Sequence, residues 1–593
     1  MSRLASCLRS SIVLALGAPA AVAQFDNTWV NFTAGTGRIK DANGADASYI
    51  LTDYQEKDFA AGDLNRDGWV DLVVVRTEPN GYPPPYPDFL LMNEGGILVD
   101  RSAQFASASS VPGDLGFLTP TNGRDVAISD VNLDGWPDVI VCDMQLPRVY
   151  VNQGSINGAW QGLRYESSLM PAFAGTHYFV GVAAGDVDGD GAPDLYLANA
   201  WAFATMDRLL INDGSGGFTD SGTSRMSATM LTSFEGTATN IVDMNGDGWN
   251  DIVRSSGGGG MGLLPFVSVA INDPNNPGHF PTSLYEASVA VGGYHEDAGD
   301  LNQDGRPDII VSDDGQDAYR YNLSNDSLGR PVWGVQHPYT WVTGTDDGPA
   351  GNCHIVDLDN DGWPDTIHAD VDMDLAGCSR RAHLYHNLGG VPGAEVVLRE
   401  EAGSATGAWR GVQGMLAADL AGTYDVGLLD LDRDGDVDMV FGRCNGTFVW
   451  LNQHVTTPTA ATFAFGDTNP NSTGQKASMH ASGTPGATLD DFVLRAEGLP
   501  PFRPTTFFYG ASRLWAGVPF GDGQRWVGGA LQRLPFVFSD ANGVATRSCT
   551  FASGPMSSIL VGSEHDAQAW FRDGIPGAGH SNTSNALAFW RVD

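Results

Sequence analysis

The chain is poor in positive charge: 32 Lys and Arg stand against 71 Asp and Glu in 593 residues, a formal net charge of −39. Phosphate binding needs a basic face, so nucleic acid is not an expected partner. Cysteine is scarce, with 6 in the chain, no CxxC spacing and no Cys/His cluster, which argues against a thiolate zinc or haem site. Apolar runs of the ~18 residues that a membrane-crossing helix needs are missing after the first residues, so no transmembrane segment is expected. A Ser-His-Asp motif, a phosphate loop and a dinucleotide fingerprint are missing too.

Aspartate is abundant, and it is patterned. DLNRDGWVDL at Asp63 recurs as DVNLDGWPDV at Asp130, DVDGDGAPDL at Asp186, DMNGDGWNDI at Asp243, DLNQDGRPDI at Asp300, DLDNDGWPDT at Asp357 and DLDRDGDVDM at Asp430. All share D-x-[DN]-x-D-G-x-x-D, and the first Asp returns after 67, 56, 57, 57, 57 and 73 residues. Near-constant period is the mark of a repeat fold. Like charges so close together repel, and a hard cation with six to eight oxygen ligands is the usual remedy. The motifs hold 25 Asp, so much of the acidity is local, and filled loops would offset part of it.

An EF-hand loop starts the same way but needs Glu at position twelve and flanking helices. Position twelve here is Val74, Val141, Leu197, Arg254, Val311, His368 or Phe441. The residues after each motif, such as LVVV and LYLA, read as short strands. Each unit then ends another strand in Asn, at Asn93, Asn152, Asn212, Asn272, Asn322, Asn387 and Asn452. Four short strands per 40- to 60-residue unit is the signature of a β-propeller. The expected fold class is all-β: a seven-bladed β-propeller with calcium-binding hairpin loops, followed by a small β-sandwich.

The loops and trailing Asn motifs resemble the FG-GAP/VCBS repeats of integrin-type propellers, over roughly Phe25 to His454. That resemblance implies calcium, up to seven ions. Positions one, three, five and nine would supply side-chain oxygens, and position seven its carbonyl. The implied ligands are Asp63, Asn65, Asp67 and Asp71; Asp130, Asn132, Asp134 and Asp138; Asp186, Asp188, Asp190 and Asp194; Asp243, Asn245, Asp247 and Asp251; Asp300, Asn302, Asp304 and Asp308; Asp357, Asp359, Asp361 and Asp365; and Asp430, Asp432, Asp434 and Asp438.

Four segments are expected. Residues 1–23 read as a secretory signal, with Arg3 and Arg9, an apolar Ile12–Leu16 centre and an Ala21-Val22-Ala23 cleavage site. The propeller spans 24–454, a polar linker 455–463, and the β-sandwich module 464–593. In that last segment VPFGDGQRWVGGALQRLPF and SDANGVATRS resemble a C-terminal module of secreted bacterial proteins. Five cysteines would remain after cleavage, an odd number, and Cys353 and Cys378 lie close enough in one unit to bridge. The N-terminal FDNTWVNFT, Phe25 to Thr33, is expected to close the ring as the outer strand of the last blade.

The acidic loops join first to second strands and so share one face, leaving the long connections on the other. Recognition usually sits on such loops, and Tyr82, Tyr86, Trp201 and Phe203 would suit a sugar or protein surface there. Asp58, Asp125, Asp425, His177, His295 and Arg124 precede or enter inner strands and could crowd the mouth of a central channel. Two functions follow. One is a secreted binding or adhesion module for a glycan or an extracellular surface protein. The alternative is a secreted carbohydrate-active enzyme of the polysaccharide lyase or sugar dehydratase type.

Overall fold

The computed structural model describes residues 28–590 apart from 78–84, 174–176, 201–205, 232–235, 257–265, 314, 341–350, 370, 372–379, 401–410, 454–461, 466–468, 470, 474, 483–491, 511, 521–522, 529–530, 552–554, 560–563 and 574–580. Among the described residues no helix is long and apolar enough to cross a membrane.

Among the described residues seven sheets follow one another, each built around one acidic loop between antiparallel strands, and three of them add a parallel outer strand. The third shows the plan. Phe179–Gly185 runs into the loop, Asp194–Asn199 returns, Arg208–Asn212 carries the trailing Asn, and Phe218–Asp220 is outermost. In every sheet the position-nine Asp opens the second strand. The sheets pack face to face because their strands alternate. In Asp71–Thr77, Val73 and Val75 join a core with residues of the second sheet, while Leu72 and Val74 join one with residues of the seventh. Burial on both faces is why these strands read as unbroken apolar runs. Seven such cores occur, one between each sheet and the next, and the core of the first and seventh sheets completes the circuit. This is a closed β-propeller ring.

Closure uses both termini of the ring. Thr28–Ala34 pairs antiparallel with Gly446–Asn452, with Phe32 opposite Asn452, so the N-terminal strand follows the third strand of the last sheet as expected. It is not the outermost one, because Gly411–Gln413 adds a parallel strand beyond it.

Two expectations are corrected. Cys353 is a free, buried thiol, so it does not bridge to Cys378, which lies outside the described residues; packed against Tyr339 and Tyr385, it is part of the core between the fifth and sixth sheets. The disulfide instead involves Cys444, at the turn between the second and third strands of the seventh sheet, with a partner outside the described residues. The C-terminal part begins with strand Thr462–Phe465, inside the stretch read as a linker. Two of its sheets share one core, in which Met479 and Leu494 of one meet Phe507, Phe571 and Phe589 of the other. Trp526 and Trp570 pack on a small cluster there with Phe508, Val527 and Ala586.

Candidate functional site

Each acidic loop is shaped by its own carboxylates. The position-one Asp accepts the position-six Gly N–H in all seven loops, as in Gly68 N to Asp63 Oδ2 at 2.8 Å. The position-five Asp accepts the position-seven N–H in all seven, as in Trp69 N to Asp67 Oδ1 at 2.8 Å. Positions four and six both take positive φ, which Gly tolerates at position six. At position four the residues are Arg66, Leu133, Gln303, Asn360 and Arg433 in five loops, held left-handed at a cost of ~1–2 kcal/mol each. No sequence rule singles these out.

The position-nine Asp is the knot. All seven are fully buried. One oxygen accepts the position-two N–H and the other the N–H of the trailing Asn: for Asp194, Val187 N at 3.0 Å and Asn212 N at 2.8 Å. The same pair of bonds recurs in every sheet. Burial pushes these carboxyls up, to about 8 for Asp71 and about 7 for Asp194, against the opposing pull of those N–H groups.

The trailing Asn, legible in the sequence only as a landmark, has a structural role. Its Nδ2 donates to the position-two carbonyl of the preceding sheet's loop: Asn152 to Leu64, Asn212 to Val131, Asn272 to Val187, Asn322 to Met244, Asn387 to Leu301 and Asn452 to Leu358. Asn93 donates to Leu431 of the last loop and completes the belt at 2.9 Å.

Within this belt, carboxylates converge. Ligand atoms of Asp186, Asp188 and Asp194 lie within 4.8 Å of one another, as do those of Asp357, Asp359 and Asp365, and of Asp430, Asp432 and Asp438. These are positions one, three and nine of the loops whose third position is Asp rather than Asn. Asp190 and Asp434, at position five, are not members of these triples, and Asp361 groups instead with Asp359 and His386. An all-oxygen, three-carboxylate cluster fits a hard divalent cation and is poorly stable without one.

At the ring's axis a second polar group forms. Counted back five residues from each loop's first Asp, the inner strands place Asp58, Asp125, Gly181, Ala238, His295, Asn352 and Asp425 at one level. Asp58 hydrogen-bonds both Asp125 and Asp425, and Asn352 Nδ2 donates to Asp58 Oδ1 at 3.2 Å. His354, two residues further on, meets Asp425 Oδ1 through Nε2 at 2.7 Å. Burial, then the charges of Asp425 and Asp125, push Asp58 well up. Burial would also raise Asp425, but the His354 charge and hydrogen bond outweigh it and hold Asp425 at about 2. Burial lowers His295 to about 4. His354 remains 27% exposed, opening this group to the channel inside the ring.

These carboxylates also bridge neighbouring inner strands, whose channel-facing edges lack a partner strand. Asp425 accepts Phe59 N at 3.1 Å, Asp125 accepts Val182 N at 2.6 Å, and Asp297 accepts Ile355 N at 2.8 Å. Of the sequence candidates, Asp58, Asp125 and Asp425 meet, and His295 interacts electrostatically with Asp425 and with Arg124. His177 stacks on Phe179 instead, rings 5.3 Å apart. Asn352, His354 and Asp297 were missed, although counting back from the loop finds them.

Of the proposed ligand-face aromatics, Tyr82, Trp201 and Phe203 lie outside the described residues. Tyr86 is half-buried, bridged to Thr121 and covered by the Arg76 guanidinium 5.7 Å from its ring.

The family model of the FG-GAP-like repeat matches residues 130–197, 186–254, 243–311 and 300–367. No curated protein matches the chain. Among solved structures, an Agrocybe aegerita lectin that recognises non-reducing terminal N-acetylglucosamine is similar at 17% identity and a TM-score of 0.37, covering 59% of this chain and 80% of the lectin. The extracellular domain described as part of a one-component system of B. thetaiotaomicron is similar at 10% identity and a TM-score of 0.34, covering 74% of this chain and 46% of that one. The repeat matches and the ring of acidic hairpins agree: the chain carries FG-GAP-like repeats on a β-propeller.

Proposed function

We propose that this protein is a secreted, calcium-stabilised propeller that binds a glycan or a surface protein through the face opposite its acidic loops. The observation that carries this reading is the division of labour between the two ends of the sheets. One end is a repeated belt of buried carboxylates and Asn bonds, including three clusters with ligand atoms within 4.8 Å. At the other end the second strands stop at Thr77, Asn199 and Ser256 and the third strands start at Phe89, Arg208 and Phe266, and the sequences between them share no repeat. A rigid scaffold with one invariant and one variable end suits recognition by the variable end.

Calcium in the loops would be held by positions one, three and nine, with position five and the position-seven carbonyl completing the shell. Its part is to neutralise the carboxylates and brace the loops. Left-handed turns at positions four and six and N–H groups capped by positions one and five give each loop the curvature that such a shell needs.

The axial group supports a second reading, a carbohydrate-active enzyme. A carboxyl pushed toward its neutral form, Asp58, beside a carboxylate paired with His354, Asp425, offers an acid and a base in contact. A glycan array with the calcium-loaded protein, run beside an assay for unsaturated sugar products, separates the two. Binding without turnover supports the module; turnover lost in Asp425→Asn would overturn it in favour of the enzyme.

A further inference from the structure

The sixth acidic loop differs from the other six in one atom type. In each sheet the residue before the trailing Asn sits beside the loop on the third strand. It is Met92, Val151, Ile211, Ile271, Tyr321 and Leu451 in six sheets, and His386 in the sixth. His386 Nε2 lies 3.3 Å from Asp359 Oδ2, with both side chains largely buried. Ligand atoms of Asp359, Asp361 and His386 all lie within 4.8 Å of one another. In the third and seventh loops the matching position-three carboxylates face guanidinium groups instead, Arg225 at 3.0 Å from Asp188 and Arg38 at 3.9 Å from Asp432. A guanidinium can only donate protons, whereas a neutral imidazole nitrogen can bind a metal.

We infer that the sixth loop holds a nitrogen-seeking divalent ion of the zinc class on His386, Asp359 and Asp361. Calcium takes oxygen ligands only, while zinc takes imidazole and carboxylate together. Two ligands bound at 2.0–2.1 Å with tetrahedral angles are about 3.3–3.4 Å apart, which is the separation already present between Nε2 and Oδ2. The three ligands come from two elements, the loop and the third strand, so the pairing of that sheet holds them together. Asp361 is exposed, which leaves a side open for the ion's entry and for a water as fourth ligand. The site draws on Asp359 as the all-oxygen cluster of Asp357, Asp359 and Asp365 does, so zinc and a calcium-class ion would compete for, or share, that carboxylate. This inference does not rest on calcium filling the loops.

The test uses the full chain, metal-stripped, then dialysed against zinc with and without millimolar calcium, and analysed for bound metal. His386→Leu restores the residue type found at position 451, and His386→Tyr that found at position 321, so both variants suit the fold; an unchanged melting temperature under chelation checks this. The wild type should retain one more zinc per chain than either variant. Zinc affinity should fall in both by at least the roughly tenfold that even outer-shell partners of a metal can produce. Cobalt(II) should give the visible absorption of a tetrahedral nitrogen–oxygen site in the wild type alone. Equal zinc content in all three proteins, or no zinc in the wild type, would overturn the assignment. A calcium count that is zero while the zinc difference persists would remove the calcium reading and leave this one standing.

Discussion

Replacing Asn93 with Ala cuts the one belt bond that joins the first sheet to the last. Asn93 is 1% exposed; its Nδ2 donates to Leu431 O at 2.9 Å and its Oδ1 accepts Gly96 N at 2.8 Å. Truncation leaves a buried carbonyl and a buried N–H without partners, each costing ~1–3 kcal/mol, so a loss of about 2–6 kcal/mol is expected. The backbone bond from Asn93 N to Asp71 survives, so the strand itself should not melt locally. For a ring of this size 1 kcal/mol shifts the melting temperature by roughly 1 °C, giving a fall of about 2–6 °C. Asn93→Asp should cost more, because it sets an acceptor against the Leu431 carbonyl. Asn212→Ala is the internal control: it removes bonds to Val131, Pro193, Gly214 and Gly216. Calorimetry at fixed calcium reads all three. If Asn212→Ala destabilises the protein while Asn93→Ala leaves its melting unchanged, the belt does not carry the closure and the reasoning fails.

Three further outcomes are expected. Chelation should lower the melting temperature, since an ion bound only by folded loops stabilises by ~2.7 kcal/mol per site at a hundredfold excess over its dissociation constant; metal analysis should find several calcium ions per chain, and identical melting with and without chelator would refute the calcium reading. Glu400 is held at about 2 because His383 and Arg381 outweigh the opposing effect of its burial. A depressed folded value means that its contribution is full above the unfolded carboxyl range near 4.3 and is lost as pH falls toward 2, so Glu400→Gln should destabilise at pH 7 and flatten the acid limb of the stability curve; an unchanged acid limb would contradict the assignment. At the axis, Asp58→Asn should cost less than Asp425→Asn, because burial and the charges of Asp425 and Asp125 already push Asp58 toward its neutral form, while Asp425→Asn loses a charged hydrogen bond to His354, ~1.5–3 kcal/mol; the reverse order by urea titration would refute this division of charge.

Much of this was legible in one dimension. A period near 57 residues, Gly at position six and apolar runs after position nine dictate hairpins, because carboxylate caps and positive φ act over a few residues. The trailing Asn was visible as a pattern and its bonding was not: its partner lies 81 residues away for Asn212 and 338 for Asn93. Phe25 to Thr33 could be matched to an outer strand by likeness, but the strand Gly411–Gln413 beyond it follows no repeat. The disulfide expectation failed because closeness in sequence does not bring two thiols together across a sheet. The axial group and His386 belong to the same class. Chain spacing alone sets which residues share a loop, since local hydrogen bonds decide that. Which carboxylate is pushed toward its neutral form, and which loop has an imidazole beside it, is decided only when strands from distant parts of the chain converge and exclude water around them.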